Sequence, residues 1–438
     1  MQTQLEFVFS AFPHYMKMCR QRGEIYKETA KSVQQTIKHL RTKLGEKVKF
    51  SALFNAYTEE DCVRNASERF EGMKAIIGGN LYADSGGLQM VTLGKKTVTE
   101  AMRKKIYETQ IKYSDLAFCF DEIPAEVIDD KRYYYPDKIK QAGIQTGLNL
   151  KEQYDFFQEN NAITKIIPIM QGYGDKDITD FFNGVYNQTK DIWDNFEMVA
   201  TGFQSSNSYA TTKQVVSLKR LEGIQKQFSN HLHLLGMSGY KRLIPVILLI
   251  KNGLLGKMKT LSFDSSSLSM TYVMGNVVGS TNDLKNNKKW VMGKKRTDEV
   301  VEYYTELFDF WKDDPNFVYK DVNDLLESSQ WNSRGIKSGK ARFDETDGDV
   351  FETIKYLKQE EYFIFYNVYK YIMVLEDFLE GKITLEEIFK GKDLDNFLTL
   401  SKLTNLDDFD SWLQEIEKTK KIGPEIMKKE DNSGNLLF

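Results

Sequence analysis

The chain has 438 residues, of which 41% are hydrophobic and 28% charged, and its formal net charge is −3. These proportions are typical of a globular protein with room for one large domain and a smaller one. The nearly balanced charge gives no global electrostatic case for nucleic acid, so such a partner must be argued from local patches. Only 7 prolines and no serine- or glycine-rich tract argue against long disordered linkers.

The three cysteines, Cys19, Cys62 and Cys119, lie far apart and form no CxxC pair. This spacing is typical of a reducing compartment and disfavours both a disulfide framework and a structural zinc site. The N-terminal residues lack the basic start and apolar core of a signal peptide, and no apolar run approaches the ~20 residues of a membrane span. We therefore expect a cytoplasmic protein with no metal, no cofactor and no membrane partner.

Hydrophobic patterning predicts strands that alternate with helices. Apolar runs bounded by turn residues predict eight strands, at residues 5–10, 47–54, 81–84, 116–121, 166–171, 198–202, 231–237 and 260–264. Amphipathic patterns predict helices at residues 22–44, 59–73, 99–113 and 151–159, with Thr99 as an N-cap. The long connection before the last of these is predicted to include a lid-like loop around residues 132–136. Continuous apolar strands of this kind indicate buried parallel strands.

Eight strand-helix units within about 265 residues match the number of units and the length of a (β/α)8 TIM barrel, which typically has ~250 residues. A doubly wound open sheet is the competing fold, but its first strand should lead into a glycine-rich phosphate loop, and none follows Ser10. We predict an α/β protein with a TIM-barrel domain at residues 1–280, a basic linker at 281–297 and a mainly helical C-terminal domain at 298–438. Helices in that domain are predicted at residues 298–310, 321–328, 350–359, 361–379 and 407–418.

Polar groups stand at the ends of five predicted strands, namely Asp84, Asp121, Gln171, Gly202 and Asp264. The active site of a TIM barrel is built at the C-terminal ends of its strands, so these residues are expected to lie together at that end of the barrel. Asp84 also leads into the Gly86-Gly87 turn, where the lack of side chains lets a small flat ligand approach the backbone. The pattern therefore predicts a site with several carboxylates.

Short motifs on these strands recur in a recognisable order. The most specific are Asp84-Ser85-Gly86-Gly87-Leu88-Gln89 and Phe120-Asp121-Glu122; the others are Met170-Gln171-Gly172, Ala200-Thr201-Gly202-Phe203, Leu235-Gly236-Met237-Ser238 and Phe263-Asp264. The ordered set resembles the tRNA-guanine transglycosylase family over about residues 75–270. The resemblance implies base exchange, in which a guanine is cut from its sugar and a 7-deazaguanine is installed in its place by a glycosyltransferase of the pentosyltransferase type.

The resemblance also implies a role for each site residue. Asp264 would be the nucleophile that attacks C1′ of the sugar to give a covalent glycosyl-enzyme, and Asp84 would be the general acid/base for the departing and incoming base. The substrate-binding residues that it implies are Ser85, Gln89, Asp121, Gln171 and the backbone at Gly202. Two carboxylates with divided roles suit an oxocarbenium-like transition state, and a carboxylate complements the N1 and N2 donors of guanine.

The chain departs from the tRNA enzymes after the proposed nucleophile. Those enzymes carry a zinc site of three clustered cysteines and a histidine, whereas here no cysteine follows Cys119 and no histidine follows His233. Their arginine-containing run is replaced by Ser265-Ser266-Ser267-Leu268-Ser269. A branch found in phages and in bacterial DNA-modification clusters is more similar, and it exchanges guanine in DNA for 7-cyano-7-deazaguanine or a relative, which can protect DNA from restriction.

The expected partners are thus DNA and the free 7-deazaguanine base, with tRNA as the alternative polymer and the host cytoplasm as the location if a phage encodes the chain. The basic residues predicted to contact phosphates are Lys288, Lys289, Lys294, Lys295 and Arg296. Two other readings stay open: a barrel glycosidase acting on a nucleoside or sugar, and an inactive barrel that binds nucleic acid or pairs with an active subunit. His231 and His233 share one face of a predicted strand, a spacing more typical of structural histidines than of metal ligands.

Overall fold

The computed structural model describes residues 3–10, 24–57, 73–87, 98–128, 131–202, 209–237, 239–265, 268, 298–327 and 350–419. Several predictions fall outside these ranges. They are the helix at 59–73 except for its last residue, the site residue Gln89, the basic linker at 281–297 and the basic residues Lys288, Lys289, Lys294, Lys295 and Arg296.

Eleven strands occur within the described residues. They are β1 (Gln4–Phe9), β2 (Val48–Asn55), β3 (Leu81–Asp84), β4 (Leu116–Phe118), β5 (Ala125–Ile128), β6 (Lys131–Tyr134), β7 (Lys165–Ile167), β8 (Ile169–Met170), β9 (Val199–Thr201), β10 (His231–Leu234) and β11 (Thr260–Ser265). Nine of them form one sheet in the order β7-β4-β3-β2-β1-β11-β10-β9-β8. Every pairing between neighbours in this sheet is parallel.

The two edge strands of this sheet, β7 and β8, follow each other in the chain and are separated only by Pro168. Proline has no N–H to give to a strand ladder, which explains the interruption. Its carbonyl still accepts a hydrogen bond from Ala200 N (2.8 Å), while Ile167 O accepts one from Cys119 N (3.0 Å). The sheet is therefore nearly closed into a barrel, as the buried parallel strands predicted.

Fourteen α-helices accompany the strands in the described ranges. They are α1 (Glu24–Leu44), α2 (Met73–Ile77), α3 (Glu100–Tyr113), α4 (Ile139–Glu159), α5 (Asp175–Thr189), α6 (Ala210–Arg220), α7 (Gln225–Asn230), α8 (Tyr240–Lys251), α9 (Asp298–Trp311), α10 (Val322–Glu327), α11 (Val350–Glu380), α12 (Leu385–Ile388), α13 (Gly391–Leu400) and α14 (Leu406–Thr419). The predicted cap of α3 is confirmed, because the Thr99 side chain accepts a hydrogen bond from Met102 N. None of these helices combines the length and the apolar composition required to span a membrane.

Three local predictions need correction. The lid-like loop predicted at 132–136 is largely an antiparallel hairpin of β5 and β6. The helix predicted at 151–159 begins much earlier, at Ile139. The two helices predicted at 350–359 and 361–379 are one continuous helix, α11.

Helix α11 covers the outer face of the sheet around β1. Alternate residues of a strand point to opposite faces, and on β1 the outward pair is Phe7 and Phe9. The ring centroids of Phe7 and Tyr371 are 6.3 Å apart, and those of Phe9 and Phe365 are 5.6 Å apart. Tyr371 and Phe365 both belong to α11. The C-terminal helices therefore share their apolar core with the strands, and the opposite, inward face of β1 carries Glu6 and Val8.

Candidate functional site

Asp84 is the last residue of β3 and lies beside its register partner Asn55, the last residue of β2. The Asn55 side-chain amide is 3.5 Å from Asp84 Oδ2, and its oxygen accepts a hydrogen bond from Tyr57 N (2.8 Å). Burial raises the pKa of Asp84 from 3.8 to about 6, the Gly86 amide opposes this rise, and the charge of Asp264 adds to it. A carboxyl group in this position can hold or release a proton near neutral pH.

The paired glycines after Asp84 allow two elements to meet. Gly86 adopts φ +85°, a conformation that side-chain-bearing residues rarely take. A Cβ on Gly87 would lie only 2.7 Å from Asp121 Oδ1, so a larger residue there would force the two chain segments apart. Ser85, between Asp84 and the glycines, is fully buried, and its hydroxyl has no hydrogen-bond partner among the described residues.

Asp121 and Gln171 form a buried polar pair. Gln171 follows β8, and its Nε2 donates a hydrogen bond of 2.6 Å to Asp121 Oδ2. Burial raises the pKa of Asp121 from 3.8 to about 7, with the Gln171 hydrogen bond opposing the rise and the charge of Asp84 adding to it. The other side-chain atom of the amide, Gln171 Oε1, is buried without a hydrogen-bond partner in the described part of the chain. It is an acceptor that a ligand could use.

Gly202 follows β9 and lies against the same pair. A Cβ at this position would come within 3.0 Å of Gln171 Nε2. The Gly202 N–H donates a long hydrogen bond of 3.4 Å to the Met170 carbonyl. Because this N–H already has a partner, the carbonyl of Gly202 is the backbone group that could contact a ligand.

Asp264 lies near the end of β11 and is buried. Its Oδ1 accepts a hydrogen bond from Gly236 N (2.7 Å) and lies 3.3 Å from His233 Nε2. Both contacts end on the same oxygen. Donors of this kind suit an ionised carboxylate, the form that a nucleophile requires.

Patterning alone did not assign a role to four residues beneath Asp264. His231 Nε2 and His233 Nδ1 lie 2.6 and 2.8 Å from Ser262 Oγ, and Glu6 Oε2 lies 4.0 Å from His231 Nε2. The sequence pattern that could have revealed them is the polar residue at every second position of β10 and β11, which places these side chains on one face of each strand. Both histidines direct ring nitrogens to Ser262, and among the described residues no group of three or more His, Cys, Asp or Glu side chains could hold a metal ion.

The structure thus brings together Asp84, Ser85, Asp121, Gln171, Gly202 and Asp264 at the carboxyl end of the sheet. Asp84 is electrostatically coupled to both Asp121 and Asp264. No protein-family model matches the chain, and a search of the curated proteins finds no match.

Proposed function

We propose that the chain is a base-exchange transglycosylase that replaces guanine in DNA with a 7-deazaguanine such as 7-cyano-7-deazaguanine. The observation that supports this most directly is the convergence of Asp84, Asp121 and Asp264, from three strand ends, in one buried site with Gln171. In this proposal the enzyme is a pentosyltransferase similar to the DNA branch of the tRNA-guanine transglycosylase superfamily. It acts in the cytoplasm, with DNA and the free base as partners.

The proposed architecture is a (β/α)8 TIM barrel followed by a helical C-terminal domain. Counting β7 and β8 as one strand interrupted at Pro168 gives eight parallel strands, the number that such a barrel requires. The site residues then occupy the face where barrel enzymes build their active sites. The helices after residue 298 form the proposed second domain, which packs on the barrel through α11.

The first half of the reaction needs a nucleophile and an acid. The Asp264 carboxylate attacks C1′, the bond from C1′ to guanine N9 breaks, and its electron pair leaves with the base. Asp84 supplies the proton that neutralises the departing guanine, and its raised pKa of about 6 keeps part of the enzyme in the required acid form near neutral pH. The product is a glycosyl ester of Asp264 and a free guanine.

The second half returns the enzyme to its starting state. Asp84, now a carboxylate, takes the N9 proton of the incoming 7-deazaguanine, whose N9 attacks C1′. The bond between C1′ and Asp264 breaks, and both carboxyl groups regain their original protonation. One residue thus serves as acid and then as base, as microscopic reversibility requires.

In this proposal, guanine is recognised by buried polar atoms of the site that have hydrogen-bonding capacity to spare. In its ionised form Asp121 accepts hydrogen bonds from N1–H and the exocyclic amine of guanine. The buried Oε1 of Gln171 and hydroxyl of Ser85 provide further groups without partners among the described residues. To reach them, the target base must leave the DNA stack, at a cost of a few kcal/mol. Gln89 and the basic residues between 288 and 296 are proposed to bind the base and the phosphates.

Covalent trapping tests this proposal. The purified chain is incubated with guanine-containing DNA in the absence of free base, then denatured, and a protein–DNA adduct is sought. We expect the wild type and an Asp191→Asn control to form it and Asp264→Asn to form none. Asp191 is an exposed residue paired with Lys151, so its substitution removes a carboxylate outside the site. An adduct that persists in Asp264→Asn would contradict the assignment of the nucleophile.

A further inference from the structure

The interior of the barrel beneath the site is polar. Barrel interiors are usually filled by branched aliphatic side chains, but here Glu6, His231, His233 and Ser262 are each at most 8% exposed. Glu6 and Ser262 are register partners on β1 and β11, and Ser262 and His233 are register partners on β11 and β10. Together with Asp264 they form one connected group, which we call the interior chain.

The contacts of the interior chain link Asp264 to Glu6 through His233, Ser262 and His231. His233 Nε2 lies 3.3 Å from Asp264 Oδ1, and His233 Nδ1 lies 2.8 Å from Ser262 Oγ. Ser262 Oγ lies 2.6 Å from His231 Nε2. At the far end, Glu6 Oε1 accepts hydrogen bonds from Ser51 Oγ (2.6 Å) and Asn80 Nδ2 (3.3 Å).

Only one assignment of hydrogens satisfies every contact when both rings are neutral and Asp264 is ionised. A carboxylate only accepts, so His233 Nε2 must carry the hydrogen and Nδ1 must accept. Ser262 then donates its hydroxyl hydrogen to His233 Nδ1. Its oxygen in turn accepts from His231, whose Nε2 must carry a hydrogen. The Asp264 carboxylate therefore sets the tautomer of His233, and the Ser262 hydroxyl is the donor that satisfies the bare Nδ1.

The surroundings of the His231 ring favour its neutral form. Burial, together with smaller contributions from the neighbouring His233 and Lys49, lowers the pKa of His231 to about 3. The His233 ring packs between two aromatic rings: its centroid lies 5.6 Å from that of Tyr82 and 4.9 Å from that of Phe118. The charged or titratable groups facing the interior chain among the described residues are Glu6, Lys49, Tyr82, Asp84 and Asp264.

We propose that His233 is a positioning residue for the nucleophile. As the Nε2–H tautomer, with Nδ1 satisfied by Ser262, it and the Gly236 amide both bind Oδ1 of Asp264 and fix the plane of the carboxylate. The remaining oxygen, Oδ2, is then the one presented to C1′ of the sugar. This inference rests on the proposed function for the role of Asp264, but the tautomer itself exists without substrate.

Nitrogen-15 NMR of the histidine rings tests the tautomer directly. The full chain has only 4 histidines, so selective labelling gives few signals, and His233→Gln identifies the signal of that ring. We expect His233 in the wild type to be protonated on Nε2 and bare on Nδ1, and Ser262→Ala to keep this tautomer but shift the Nδ1 signal, because Nδ1 loses its hydrogen bond. His39 is the internal reference, because its Nε2 lies 2.9 Å from the Phe310 carbonyl and has no contact with Ser262. A wild-type His233 protonated on Nδ1, or an Nδ1 signal that Ser262→Ala leaves unchanged, overturns the inference.

A kinetic comparison separates positioning from bulk structure. His233→Leu removes the donor and should lower kcat for base exchange by about 10- to 100-fold, the usual effect of losing a hydrogen bond to a charged group, with KM for the free base nearly unchanged. His233→Gln keeps an N–H donor and should recover most of this loss. Equal losses in both variants would overturn the inference. Failure of the wild type to exchange bases would refute the proposed function instead, while the NMR result would stand.

Discussion

Asp84 and Asp264 come from β3 and β11, and the structure places them close enough for their charges to interact. Burial is the main cause of the raised pKa of Asp84, about 6, and the charge of Asp264 adds to it. Two carboxyl groups that share a site but differ in protonation can divide the tasks of acid and nucleophile.

The rate of adduct formation should depend on pH through Asp84. The first half-reaction uses Asp84 in its acid form, and its pKa is about 6. We therefore expect the single-turnover rate with DNA to fall above pH 6, approaching a tenfold loss per pH unit. The measurement is quenched-flow adduct formation between pH 5 and 8.5. A rate that does not change over this range would contradict the assignment of Asp84 as the acid.

Asp84→Asn should slow base exchange without removing the nucleophile. Loss of a general acid typically costs about 10²- to 10⁴-fold in rate, and the descending limb of the pH profile should disappear with it. The same measurement on Asp191→Asn, which lies outside the site, should match the wild type. An Asp84→Asn enzyme that keeps the wild-type pH profile would show that another group supplies the proton.

Asp121→Asn should stabilise the fold at high pH. The folded-state pKa of Asp121 is raised to about 7, so its contribution to stability is fully present below the unfolded pKa of 3.8 and is lost as the pH rises through 7. Asparagine does not ionise, so the variant avoids this loss, which is on the order of 2–4 kcal/mol at pH 8. Thermal unfolding should give a higher Tm than the wild type at pH 8 and nearly equal values at pH 4. A lower Tm for the variant at pH 8 would contradict the raised pKa.

Gly87→Ala should weaken base binding more than it weakens the fold. The added Cβ would lie 2.7 Å from Asp121 Oδ1 and must displace the residue proposed to read the base. We expect KM for the free base to rise about tenfold, the equivalent of roughly 1.4 kcal/mol. Gly174→Ala is the matched control, because its Cβ would meet only the flexible end of Lys213, at 3.2 Å. Equal KM values in the two variants would contradict the claim that base binding depends on the close contact between Gly87 and Asp121.

The strands could be predicted because their buried, apolar runs end sharply at polar residues such as Asp84. The start of α4 could not, because Gly143 and Gly147 are poor helix formers and their segment has the composition of a loop. In the structure these glycines face α5, and a Cβ on Gly143 would lie 2.3 Å from the Phe181 carbonyl. The close packing of two helices, which only the tertiary structure reveals, outweighs local propensity there.

The carboxylates of the candidate site were also predictable, since each stands at or near the end of an apolar strand. The interior chain was not. His231 and His233 alternate along β10 in the sequence, but their link to Glu6 depends on the register of β10, β11 and β1, which brings residues from the two ends of the barrel sequence together. Sequence patterning gives the face of a strand but not the strand that will lie next to it.

The most direct test of the account is the incorporation of labelled guanine or 7-deazaguanine into polymer, with DNA and tRNA offered side by side to the wild type and to Asp264→Ala. We predict label in DNA, none in tRNA and none with the variant. Label in tRNA alone would mean that the enzyme is a tRNA transglycosylase. Exchange of free nucleoside alone would favour a glycosidase-like barrel. Label in neither polymer, with no exchange of nucleoside, would contradict the proposed base exchange.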